Sequence, residues 1–213
     1  MDILLFYLFR NFKSYLLQDT VKVSLYYAAL CPFSQDFIAN QLYPGYQTLG
    51  DSLNLELVPY GNSKVRYLFI PVFFCSTKKV HEKWQLTCQH GPKECYANKL
   101  QACVLGMNYT QERSMNFIGC VMSTDSPQQN ANARKCANKN KMSWRTVKDC
   151  ANGERGNELF VYFGEITSKL NPPLDYVPYI LFNDVHNKTV EEAAREDFLT
   201  TVCSLYQEKP IGC

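Results

Sequence analysis

Residues 21–42, VKVSLYYAALCPFSQDFIANQL, decide the fold. Val21, Val23, Leu25 and Tyr27 alternate with Lys22, Ser24 and Tyr26, the period of two that marks a strand, and four residues later comes Cys31-Pro32-Phe33-Ser34. Phe33, Phe37, Ile38 and Leu42 then recur at helical spacing. Proline suits a first helical turn, where its missing N–H is no loss, so Pro32 places the sulfur of Cys31 beside the free N–H groups of a helix start. The partial positive charge there favours thiolate over thiol, and thiolate is the nucleophile that attacks disulfides. Cys31 is the candidate nucleophile. Three residues on, where a redox turn carries its second cysteine, stands Ser34. Its hydroxyl is expected to donate a hydrogen bond to the thiolate, but it cannot attack a mixed disulfide.

Working outward, Pro44 and Gly45 predict a break, with a short helical continuation to Leu49. Leu53, Leu55 and Leu57 then alternate with Asn54, Glu56 and Val58 as a second strand ending at Pro59 and Gly61, which completes a βαβ unit of parallel sheet. Near the other end, Tyr176–Phe182 reads as a strand entered through Pro178. Asn183-Asp184 predicts a turn into a short antiparallel strand near His186–Val190. Thr189 with Glu192 predicts a capping box for a last helix, whose apolar face is Ala193, Ala194, Phe198, Leu199, Val202 and Leu205. From Asn62 to about Asn171 this alternation stops. Seven of the ten cysteines fall in that interval, which reads as an insertion with helical character over Glu94–Leu105 and Arg134–Cys150; Cys95 and Cys103 share one helix face. The fold class is therefore α/β, a thioredoxin-like βαβ–ββα core with a disulfide-rich helical insertion. It forms one domain over residues 21–213, with residues 1–20 as a poorly formed leader.

A chain of 213 residues, 46% apolar, is long enough for one domain with a substantial core. The net charge of +2 comes from interspersed charges, which points to neither nucleic acid nor an anionic membrane as partner. Ten cysteines point to an oxidising compartment. Two sequons, Asn108-Tyr109-Thr110 and Asn187-Lys188-Thr189, agree with that and make Asn108 and Asn187 candidate glycosylation sites. Ile3–Phe9 is apolar but follows Asp2 and ends at Arg10 without a cleavage signal, and it is far short of the roughly 20 apolar residues a bilayer span takes. The true start is expected upstream. Tyr67–Cys75, YLFIPVFFC, is apolar on both faces and interrupted by Pro71; it is expected to be extraneous to the domain, with Cys75 unpaired, the alternative being a buried strand.

Setting Cys31 and Cys75 aside leaves Cys88, Cys95, Cys103, Cys120, Cys136, Cys150, Cys203 and Cys213, enough for four bridges among 105 connectivities. Only Cys203 with Cys213 is assigned, because the carboxyl-terminal tail needs tethering; the six from Cys88 to Cys150 are expected to pair among themselves. Cys88, His90 and Cys95 fit no common zinc spacing, so no metal site is expected. His81, His90 and His186 form no acid–base set.

The run CQHGPKEC at Cys88–Cys95, followed by Asn98 and Cys103, resembles the signature of the gamma-interferon-inducible lysosomal thiol reductase (GILT) family. Further stretches similar to the family are SLYYAALCPFSQDFI, LVPYGNSK, FIGCVM, KCANKN, Trp144, DCANGERGNEL, PPLDYVPYILFN and VCSLYQEKPIGC. The resemblance implies a thioredoxin-like fold with a helical insertion, a secreted or lysosomal setting and reduction of protein disulfides. Its implied partners are disulfide-bonded proteins and small thiols such as glutathione or cysteine, with no cofactor. It also implies that the Val177–Pro178 peptide is cis and faces Cys31, leaving the Val177 backbone to pair with an extended substrate. Two departures stand out. The family's active turn generally carries two cysteines, where this chain has Cys31 and Ser34, and Val65–Ser76 is apolar where the family's loop is short and polar. Ser34 keeps a second reading open, a secreted disulfide-stabilised binding protein without redox turnover.

Overall fold

The structure, a computed structural model, describes residues 20–70 and 81–213. Strand β1 (Val21–Tyr27) is the middle of a three-stranded sheet, parallel to β2 (Leu53–Pro59) and antiparallel to β5 (Tyr179–Phe182). The register pairs Val21 with Leu53 and Tyr27 with Pro59 on one edge, and Val23 with Phe182 and Tyr26 with Tyr179 on the other. A central strand is covered on both faces, so Ser24 and Tyr26 are buried along with the alternating aliphatics. The buried Ser24 hydroxyl donates to Glu56 at 2.8 Å, and Lys22 reaches Glu56 at 3.0 Å and Asp184 at 2.6 Å.

The helix after Cys31 does not break at Pro44. It runs as α1 (Pro32–Phe37), a π-helical turn (Ile38–Leu42) and α2 (Tyr43–Leu49). Proline has no N–H for the preceding turn, and the ladder widens to accommodate it, with the Tyr43 N–H bonding the Ile38 carbonyl five residues back. Gly45 is required there, since a Cβ would lie 2.5 Å from the ring of Phe198.

The insertion opens with an antiparallel hairpin that the periodicity did not suggest, β3 (Lys64–Ile70) against β4 (His81–Thr87). The run read as extraneous thus begins as the end of a paired strand. Residues 71–80, Cys75 among them, lie outside the described residues, as does the leader segment up to residue 19. Five helices follow: α3 (Pro92–Leu105), α4 (Gln111–Met122), α5 (Asn130–Lys139), α6 (Trp144–Asn152) and α7 (Glu154–Ser168). The helical stretch expected over Arg134–Cys150 is two helices, because Lys141 takes a positive φ of 55° and Ser143 caps α6 by accepting the Thr146 N–H. Helix α3 packs on α6, α7 and β2, which joins the insertion to the sheet. Disulfides Cys103–Cys150 and Cys120–Cys136 tie α3 to α6 and α4 to α5. Cys88–Cys95 closes the entry to α3.

After β5, Asn183 and Asp184 both take positive φ, 51° and 64°, and make a tight turn that pairs Phe182 with Val185. No strand follows near His186–Val190. Asn187 accepts the Thr189 and Val190 N–H groups and opens α8 (Lys188–Glu196), two residues ahead of the expected Thr189 cap. Asp197 breaks the helix and caps α9 (Phe198–Cys203), and Cys203–Cys213 fastens the tail to its end. Ala194, Phe198 and Val202 fill the core, whereas Ala193 faces solvent because α8 and α9 do not form one continuous helix. The arrangement is the thioredoxin-like α/β fold with its helical insertion, the final β-hairpin strand reduced to a single bridge. Among the described residues no helix is long and apolar enough to cross a membrane.

Candidate active site

Between β1 and α1 the chain makes one turn, Ala28–Cys31, closed by the Cys31 N–H on the Ala28 carbonyl at 3.1 Å. Three side chains bond further backbone groups of the turn. The Ala28 N–H donates to Ser34 Oγ at 3.5 Å, the Ala29 N–H to Asn98 Oδ1 at 2.8 Å, and Gln35 Nε2 donates to the Ala29 carbonyl at 3.0 Å. Gly61, at φ 62°, lets a neighbouring loop press against Ala28, where a Cβ would stand 2.7 Å from the alanine methyl. The turn is thereby held from its own helix, from α3 of the insertion and from the end of β2. Such a scaffold fixes the position of Cys31, the N-cap of α1 with Pro32 directly after it.

Cys31 is the free cysteine among the described residues. It is 7% exposed, in an apolar collar of Ala28, Val177 and Leu174, while Phe33 two residues on is 74% exposed. The Val177–Pro178 peptide is cis, as is Asn171–Pro172, and the Cys31 thiol donates to the Val177 carbonyl at 3.7 Å. Sequence positions 146 apart are thus in contact at the sulfur. Ser34 is fully buried one turn along α1. Its hydrogen bond is accepted from the Ala28 amide, so the serine supports the turn and does not donate to the sulfur as expected.

The CQHGPKEC run is a helix start of unusual construction. Gly91, at φ 78°, is the N-cap of α3, Pro92 occupies the first helical position, and Glu94 turns back to accept the His90 N–H at 3.2 Å. The other Glu94 oxygen meets the His90 ring at 2.5 Å. Cys88 and Cys95 lock the same turn covalently, so these residues build the α3 terminus. What α3 then delivers to the site is Asn98 and Gln101, both buried, the latter accepting the Tyr27 hydroxyl at 2.6 Å. Reading the sequence for chemistry passed over Gln101; its signal was two amides three residues apart on a helix face otherwise made of Ala97, Leu100 and Val104. Asn108 and Asn187 are both exposed. The side-chain oxygen of Asn187 caps α8.

Residues 22–140 match the family model described as gamma interferon inducible lysosomal thiol reductase (GILT). GILT-like protein 1 of Drosophila melanogaster is 36% identical over 196 residues, which cover 86% of this chain and 74% of the relative. The gamma-interferon-inducible lysosomal thiol reductase of Carassius auratus is 33% identical over 194 residues, covering 91% of this chain and 72% of the relative. Among solved structures, oxidised BdbD from Bacillus subtilis superposes with a TM-score of 0.54 at 16% identity, over 83% of this chain and 86% of its own, a likeness of fold.

Proposed function

This chain belongs to the gamma interferon inducible lysosomal thiol reductase (GILT) family, and from that premise we propose that it is a thiol–disulfide oxidoreductase acting on protein disulfides through Cys31. The observation that carries the reading is the free sulfur of Cys31 at the start of α1, in contact with the Val177 carbonyl beside Pro178. Cys31 thiolate attacks one sulfur of a substrate disulfide. The substrate S–S bond breaks, a Cys31–substrate mixed disulfide forms, and the second substrate sulfur leaves as thiolate and takes up a proton. Ser34 has no sulfur with which to attack that intermediate. An external thiol such as glutathione or cysteine resolves it instead, regenerating Cys31 and leaving the substrate sulfur on the small thiol. The Val177–Pro178 segment binds the substrate backbone beside the sulfur, as its position implies. The setting that fits this chemistry is secreted or lysosomal, with Asn108 and Asn187 available for glycosylation.

The comparison of wild type with Ser34→Cys in insulin reduction at matched glutathione tests the assignment. A thiol one helical turn from the mixed disulfide has a high effective concentration, so Ser34→Cys should turn over faster and accumulate less intermediate. Equal rates without trapped intermediate in either protein would remove Ser34 as the bottleneck. The second reading, a disulfide-stabilised binding protein without turnover, is favoured by Ser34 itself and would show as tight peptide binding with no covalent product.

A further inference from the structure

Beside the Val177–Pro178 segment lies a partly buried polar cluster, centred on one buried carboxylate, that the chemistry above does not use. Glu191, in the first turn of α8, is 2% exposed. Its Oε2 accepts the Tyr176 hydroxyl at 3.1 Å and the Ile180 N–H at 3.5 Å, and meets His186 Nε2 at 2.7 Å. Its Oε1 accepts from Arg195 Nη2, and the same nitrogen donates to the Pro178 carbonyl. The guanidinium also lies over the Tyr176 ring, 5.2 Å from its centre, and His186 stacks on Tyr179 at 4.2 Å. A single carboxylate therefore reaches residues 176 and 180 directly and residue 178 through Arg195. Those three positions flank both sides of Val177, whose carbonyl touches the Cys31 sulfur.

We propose that Glu191 and Arg195 are positioning residues for thiol exchange: together they hold the Tyr176–Ile180 segment in register with Cys31, so that an extended substrate chain meets the sulfur in attack geometry. The inference rests on the reading of Cys31 as nucleophile. Its physical content is that a strand end and the loop before it have few backbone partners of their own. A buried carboxylate fixed by Arg195 supplies them from α8. Charged hydrogen bonds in a water-poor site are stronger than neutral ones, so the hold depends on the charge of both partners and not on their bulk. Arg195→Lys keeps a cation able to bridge the Pro178 carbonyl and Glu191, whereas Arg195→Met keeps the apolar stem and loses both bonds.

The test uses the full chain, wild type, Arg195→Lys, Arg195→Met and Tyr176→Phe, with two readouts. The first is capture of a disulfide peptide at Cys31, compared with alkylation of Cys31 by iodoacetamide, which needs no backbone register. Arg195→Met should lose roughly 10- to 100-fold in peptide capture, mostly through weaker half-saturation, while alkylation stays within about twofold. Arg195→Lys should recover most of the loss, and Tyr176→Phe, which removes the hydroxyl that meets Glu191 and His186, should fall between. The second readout is amide hydrogen exchange, which is independent of activity. Exchange over residues 176–180 should speed up roughly tenfold or more in Arg195→Met, with β1 unchanged. Unchanged exchange in a folded Arg195→Met protein overturns the proposal, as does peptide capture at the wild-type rate. A loss of alkylation as large as the loss of capture also overturns it, because the residue would then act on the sulfur or the whole fold. Wild type that captures no peptide, with exchange changed as stated, would refute the assignment of Cys31 and with it any role in thiol exchange, leaving Glu191 and Arg195 only a structural hold on residues 176–180.

Discussion

Asn98→Ala removes one amide from the interior, and the structure allows its cost to be worked bond by bond. Asn98 is fully buried, takes the Ala29 N–H at 2.8 Å and donates to the Tyr60 carbonyl at 3.4 Å. The Tyr60 carbonyl keeps another partner, the Ser63 hydroxyl at 2.6 Å, so its loss is small. Ala29 keeps none for its N–H, and an orphaned buried donor costs about 1–3 kcal/mol. Adding the space left by the missing carboxamide brings the expected destabilisation to about 2–4 kcal/mol. Guanidinium unfolding without reductant measures it as a lowered midpoint at unchanged slope, with Asn40→Ala as control. Asn40 makes an exposed bond to Asp36, so its change should stay within about 0.5 kcal/mol. Because Ala29 belongs to the turn carrying Cys31, amide exchange over residues 28–31 should also rise. An Asn98→Ala protein as stable as the Asn40→Ala control would refute the claim that α3 holds the active turn.

The bridges should rank by the loops they close: removing Cys103–Cys150, 47 residues apart, costs about 4 kcal/mol, and removing Cys88–Cys95, seven apart, about 2.4 kcal/mol, as paired Cys→Ala variants in denaturant would show. Alkali should act through the tyrosines. Burial, then the charge of Glu191, raises the Tyr176 phenol to about 12, and burial alone raises that of Tyr27 well above its usual value. Since both are raised above the unfolded value of about 10, the stability they contribute is complete below pH ~10 and is lost as pH rises through their folded values, about 12 for Tyr176. Phenolate absorbance of the native protein should accordingly lag that of free tyrosine until unfolding, and a titration superposing on that of free tyrosine would contradict the burial.

The parts legible in the sequence are those set by local periodicity. β1 and β2 follow from alternation, β5 from an apolar run entered through Pro178, and the Cys31 turn from a strand meeting Pro32, because each is decided within a few residues. The hairpin β3–β4 was not legible, since Val65–Ile70 carries Arg66 as its one polar residue and so shows no sustained alternation, and nothing local ties it to His81–Thr87 as partner. The strand expected after Asn183-Asp184 failed for a related reason: the turn was recognised correctly, but Asn187 was a stronger cap than Thr189 and committed the chain to α8. At the site, the sulfur was legible and its supports were not. Asn98, Gln101, Glu191 and Arg195 act across 11 to 74 positions on backbone and side-chain groups that no sequence spacing reveals. Ser34 shows the same limit, since only the fold decides that its hydroxyl faces the Ala28 amide.

Covalent capture at Cys31 bears most directly on all of this. Wild type and Cys31→Ser are mixed with a peptide carrying a single disulfide, quenched in acid and weighed intact, and the adduct is mapped by digestion. One peptide adduct per wild-type molecule is expected, bound to Cys31 and released by glutathione, and none on Cys31→Ser. Wild type without adduct, or with its adduct on a cysteine other than Cys31, would contradict it.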